Sequence, residues 1–232
     1  MSPALHLLQN QVQIAALAFL AAVYSVRLIW LVRFRPGRER TRPVGRMFPA
    51  VASSLLMIGR PWSMESVRRK PWLYAQFVAF HIGTAAAIGA TFIIPYAPRV
   101  FESSAAVRIF QALIALGLCA AVLRLIRRLA TPSLRLISTP DDYAALVLMI
   151  CYFVFAIPAV AWRPGRPEAW IAVFFALTAF LLIYVPFSKI GHYLYYPFAQ
   201  LVLGRMRGHR GVYPFKSLRR NGPERRRERE AS

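Results

Sequence analysis

The chain has 232 residues, 57% of them hydrophobic, with a mean hydropathy of +0.44. An ordinary soluble domain carries about 45–50% apolar residues even with glycine counted, so lipid is the expected solvent. The formal net charge is +21, but the lysines and arginines lie between apolar runs and form neither one face nor a stripe, which argues against nucleic acid and for a membrane surface.

The N-terminal stretch MSPALHLLQNQVQ lacks a basic n-region and precedes a long apolar run, so the sequence predicts a retained segment, not a cleaved signal peptide. Five runs are long enough to cross a hydrocarbon core of about 30 Å: residues 12–32, 72–94, 105–125, 141–161, and 169 to near 190. None alternates as barrel strands do, so spanning helices are expected. Between the first two, the segment 47–72 is moderately apolar but interrupted by Pro49, Gly59, Pro61 and charges. It is expected to lie along the inner interface. The terminal RRNGPERRRERE is a charge run without apolar periodicity; a solvated tail is the first reading and a hold on anionic lipid or an acidic partner the second.

Charge in the connections orients the bundle. Residues 33–71 hold ten Lys and Arg, 124–140 hold four and 189 onward eleven, whereas the other two connections hold only Arg99, Arg108, Arg163 and Arg166. The positive-inside rule then places the N-terminus outside and the C-terminus in the cytoplasm. The fold class is therefore an all-α integral membrane bundle of five transmembrane helices.

The two cysteines, Cys119 and Cys151, lie alone in apolar runs without CxxC or CxxCH spacing, so they are read as core cysteines. His6 and His209 lie outside the apolar runs. His81 and His192 are different, because ionisable groups at membrane depth tend to be functional. At 1.5 Å per residue His81 lies about 16 Å beyond Lys70, and His192 about 20 Å before Arg205 on an unbroken helix, or shallower if Pro197 breaks it. Antiparallel helices with imidazoles at comparable depth suit a flat macrocycle between them. Helix packing through a neighbouring carbonyl is the plain alternative. Zinc or a di-metal centre has little support, since the spans offer almost no further ligands and Asp141 and Asp142 suit the start of the fourth helix.

Three segments sharpen the reading: FHIG at Phe80–Gly83, RRLATPSLRLISTPDDY at Arg127–Tyr143, and PFSKIGH at Pro186–His192. Together they resemble the gamma subunit of respiratory nitrate reductase, and still more the related membrane cytochrome b of the sulfite-reduction-linked Dsr complex, in which a similar ISTP segment opens the fourth helix. The resemblance runs from the second helix to the end of the fifth and includes the topology. It implies haem b, electron exchange with membrane quinone, and a cytoplasmic iron–sulfur partner of heterodisulfide-reductase-like or nitrate-reductase-beta-like type. By position, His81 and His192 match the axial ligands of the haem nearest the cytoplasm. Where two-haem members place the outer pair of histidines, this chain has Thr91 and Phe174, neither of which is an imidazole, so a single haem is expected. Quinone then has to approach that haem, either through the space near Thr91 and Phe174 or from the inner leaflet.

Arg127, Arg128, Arg135 and Lys189 are candidates for haem propionates, since guanidinium forks match carboxylates and lysine snorkels; ordinary positive-inside anchoring predicts the same residues. Pro186 is expected to bend the fifth helix and aim its last turns. Tyr193, Tyr195 and Tyr196 read as an interfacial belt. The expected organisation is a haem-binding membrane domain at 1–204 and a basic cytoplasmic tail at 205–232, in the cell inner membrane. No residue pattern indicates a nucleophile or an acid–base pair, so any enzyme activity belongs to a complex. The competing readings are a haem-free anchor or assembly subunit and, last, a small transporter, for which the sequence shows no internal repeat.

Overall fold

A computed structural model of the chain describes residues 1–34, 37, 40–60 and 65–212. The charge run at 219–230 and residues 61–64 of the interfacial segment lie outside the described residues. Among those described the protein is helical without strands, and five helices are long and apolar enough to cross a membrane: Pro3–Arg33, Pro71–Tyr96, Ser104–Ala130, Pro140–Val160 and Ala169–Phe187. This is an all-α five-helix membrane bundle. Large apolar side chains such as Ile88, Ile109, Leu123 and Phe180 remain about half exposed on these helices, the surface that lipid covers.

The chain separates into two compact units, Met1–Val26 with Lys70–Gly191, and Arg27–Arg69 with His192–Ser232. In the first, α1 (Pro3–Leu7) leads through a π-turn (Leu8–Val12) into α2 (Gln13–Arg33), which continues into the second unit. The other spans are α5 (Pro71–Tyr96), α6 (Ser104–Ala130), α8 (Pro140–Val160) and α9 (Ala169–Tyr184), with the short α7 (Pro132–Leu136) between α6 and α8. Helix starts follow local chemistry. Proline opens α5, α7 and α8, where its missing N–H costs nothing, and the Ser103 hydroxyl accepts from Ala106 N at the start of α6.

In this unit α5 packs on α6, α6 on α8, and α8 on α9. The α5–α6 crossing rests on two glycines: a Cβ on Gly83 would lie 2.5 Å from the Gly117 Cα, so only glycine permits this approach. Thus Gly83 of the FHIG segment has a packing role of its own. Around the crossing lies a core of Ala87, Ala90, Ile114, Phe153, Phe174 and Phe175, each fully buried. Cys119 departs from expectation: it is exposed, and only Cys151 is partly covered, because Cys119 lies on the face of α6 turned from its neighbours.

In the second unit α3 (Met47–Leu55) packs along α10 (His192–His209), while α4 (Glu65–Arg69) is a single short turn. Nine residues are too few for α3 to span. Gly204 and Gly208, one turn apart, admit the α3 backbone: a Cβ on either would meet Val51 Cα at 2.6 Å or Met47 Cα at 2.7 Å. Ser54 Oγ donates to Gln200 Oε1 at 2.8 Å, and Val44 N donates to the His209 carbonyl at 2.8 Å. The boundary expected at residue 204 falls inside α10.

Candidate functional site

His81 lies midway along α5, half-buried. Its Nδ1 is 2.7 Å from the Phe77 carbonyl; a carbonyl only accepts, so Nδ1 carries a proton, and in the neutral form of the ring the lone pair is then on Nε2. The Phe77 ring packs 4.1 Å from the imidazole, centroid to centroid, and Phe80 meets it edge-on at 5.6 Å. Phe80 in turn lies under Arg124, whose Cζ is 5.2 Å from the ring centre, and against Phe153. Arg127 lies 5.8 Å from the Trp72 ring centre. The ends of α5 and α6 are thus joined by guanidinium–aromatic contacts, and Arg124 is a participant that sequence reading passed over as one more member of the run LRLIRRLA. Gln76, buried on α5, has no hydrogen-bond partner for its Nε2 among the described residues.

The second and third resemblance segments meet at the opposite end of α8 from Val160. Asp142 receives the Thr139 N–H at 2.8 Å, the acidic half of a capping box. The same oxygen accepts from Lys189 Nζ at 2.8 Å and lies 3.6 Å from Arg128 Nη1. Lys189 Nζ also donates to Thr139 Oγ1 at 2.8 Å, and its backbone N–H to Asp141 Oδ2 at 3.1 Å. Asp141 accepts from the Tyr184 hydroxyl at 2.5 Å, and Arg128 donates to Ser138 Oγ at 2.6 Å. Of the four cations expected to meet propionates, two therefore converge on a carboxylate of the protein itself, Arg127 covers Trp72, and Arg135 is exposed on α7.

The last span corrects two expectations. α9 ends at Tyr184, a 3-10 turn spans Val185–Phe187, and Ser188 is extended; Pro186 ends the helix instead of bending it. Pro197 lies inside α10 without breaking it. His192 opens that separate helix, is exposed, and meets Tyr193 edge-on at 6.4 Å. It belongs to the second unit and His81 to the first.

The space near Thr91 and Phe174 is also not as expected. Tyr152, 2% exposed, stacks on Phe174 with centroids 5.3 Å apart, and its hydroxyl lies 3.0 Å from Thr91 Oγ1. Thr91 spends its own proton on the Ala87 carbonyl at 3.1 Å, so Tyr152 is the donor. A phenol ring fills the place through which quinone was expected to pass.

The residues fit haem at one position. An imidazole held by an Nδ1–H···O=C bond is oriented and made more basic at Nε2, the arrangement common to metal-bound histidines. Comparison with family models, curated proteins and solved structures finds no match to this chain.

Proposed function

We propose that the chain is a monohaem b-type cytochrome subunit of the inner membrane, N-terminus outside and C-terminus cytoplasmic, which transfers electrons between membrane quinone and a cytoplasmic iron–sulfur subunit. The observation that carries this reading is the His81 bond to the Phe77 carbonyl, which sets the tautomer a haem ligand needs inside a membrane span. Haem, when bound, supplies reversible one-electron chemistry. The chain holds the ligand nitrogen, with Phe77 and Phe80 packed against its ring and the buried Gln76 amide offering a donor to an acceptor such as a propionate. His192 is the second ligand by the resemblance.

A second reading, a haem-free anchor, is favoured by the Gly83–Gly117 crossing and by Asp142, which give the resemblance segments packing and capping roles that need no cofactor. A dithionite-reduced minus oxidised spectrum of the purified full chain, with haem quantified per polypeptide, separates the two. One b-type haem per chain, lost in both His81→Ala and His192→Ala, supports the cytochrome. A folded chain without haem leaves the anchor, and loss in His81→Ala alone moves the second ligand away from His192.

A further inference from the structure

At the end of the first unit where α9 begins, two buried amides are left incompletely bonded. Gln9 and Gln13 are 3% and 4% exposed. Gln13 Nε2 donates to the Phe175 carbonyl at 2.6 Å, yet Gln13 Oε1 and Gln9 Nε2 have no hydrogen-bond partner among the described residues. The stretch is pinned on both sides. Ser2 N donates to Glu168 Oε1 at 2.8 Å and the Ser2 hydroxyl to Glu168 Oε2, while the Phe175 bond holds the far end, so fraying does not carry these amides to water. Between them runs the π-turn Leu8–Val12, a distortion frequent at functional sites, and it packs on α9.

An unpaired buried amide costs roughly 1–3 kcal/mol in protein, and lipid offers it no partner. The two orphans have opposite character: one turn apart on the same face, Gln9 presents a donor and Gln13 an acceptor. A phosphodiester, which only accepts, would leave Gln13 opposed; an ammonium, which only donates, would leave Gln9 opposed. A neutral hydroxyl satisfies both, donating to Gln13 Oε1 while accepting from Gln9 Nε2.

We propose that Gln9 and Gln13 form the polar end of a quinol site, holding one ring hydroxyl of the reduced carrier. The proposal rests on the quinone reading above and adds a location to it. Phe175, whose carbonyl fixes Gln13, packs edge-on against Phe174 at 5.3 Å, and Phe174 stacks on Tyr152, the partner of Thr91. The site therefore lies beside the ring that fills the Thr91–Phe174 space and not within it. Along α5, Thr91 lies about 15 Å from His81. Sequence reading missed these residues because glutamines near the start of an apolar run look like interface.

The test is photolabelling of the full chain in nanodiscs with an azidoquinol, followed by peptide mapping, with haem measured on the same sample. Label on the peptides containing Gln9–Gln13 or Phe174–Phe175, displaced by unlabelled quinol and reduced about tenfold in Gln9→Met, the loss of one hydrogen bond of ~1.4 kcal/mol, supports the site. Label elsewhere on the wild-type chain overturns it, and so does undiminished labelling of a helical, monodisperse Gln9→Met, in which case water alone fills the place. Haem reducible by quinol with label elsewhere removes the site and keeps the cytochrome; label at Gln9–Gln13 on a haem-free chain does the reverse.

Discussion

Lys189 reaches across to Asp142, Nζ to Oδ2 at 2.8 Å, from a position 47 residues away in sequence. The contact ties the turn after α9 to the first turn of α8, and Arg128 of α6 approaches the same carboxylate. One acid therefore gathers three elements at one end of the first unit. Lys189 is half exposed, so removing it in Lys189→Met is expected to cost only ~0.5 kcal/mol. Asp142→Asn weakens both cationic contacts and the acceptor for the Thr139 N–H, and is expected to cost about 1–2 kcal/mol. Unfolding of the detergent-solubilised variants checks the order. Because Lys189 already has its carboxylate, Lys189→Met is also expected to keep its haem, and loss of haem there would return Lys189 to the propionates.

Close approach of α5 and α6 at Gly83 gives a sharper contrast. Gly83→Ala places a methyl group 2.5 Å from the Gly117 Cα and 2.8 Å from the Leu113 carbonyl, backbone atoms that yield only if the helices part. A loss of roughly 1–3 kcal/mol is expected. Gly89→Ala on the same helix meets only the Phe110 ring at 3.8 Å, an ordinary contact, and is expected to be neutral or mildly stabilising through helix propensity. Equal melting of the two variants would show that the crossing is looser than the structure has it.

Much of the fold was legible because lipid imposes length and hydropathy on a spanning helix: α5, α6 and α8 begin and end close to the apolar runs that predict them. The end of α9 was not. Sequence reading weighed Pro197 as the break, yet Pro197 costs α10 one backbone bond, whereas Pro186 is followed by Ser188, whose hydroxyl accepts from Ile190 N at 3.2 Å and competes with helix. His192 consequently opens a new helix. Candidate residues were legible by type and not by partner. Arginine and lysine at an inner edge look alike in sequence, and only the fold shows that Lys189 meets Asp142 while Arg127 covers Trp72.

Tyr152 joins Thr91 to Phe174, and its two functions separate by substitution. Tyr152→Phe keeps the stack and loses the hydroxyl, which is expected to cost about 0.5–1.5 kcal/mol. Tyr152→Ala removes a fully buried ring among Phe153, Phe174 and Ala156 and is expected to cost ~3–5 kcal/mol. Thermal unfolding in a mild detergent measures both; a phenylalanine variant as damaged as the alanine one would mean that the hydroxyl, not the ring, holds the three helices.

Glu168, at the start of α9, carries a pH dependence of definite sign. The Ser2 hydroxyl and then the Ser2 backbone N–H hold its carboxyl below the ordinary carboxylate range. A depressed pKa means that the attachment is at full strength above the unperturbed carboxylate value and is lost as the pH falls through the lowered one. Amides of residues 4–12 are therefore expected to exchange slowly at neutral pH. After correction for intrinsic rates, their exchange is expected to rise on acidification past the usual carboxylate range. Glu168→Gln keeps an acceptor for the Ser2 N–H but has no charge to titrate, so its exchange profile is expected to be flat over the same range. Glu168→Ala should exchange fast throughout. An identical acid-dependent rise in the wild-type and glutamine chains would assign the effect to another group and detach it from Ser2. Because the same stretch carries Gln9, the acid-induced rise is also expected to coincide with loss of azidoquinol labelling, measured on one sample across the titration.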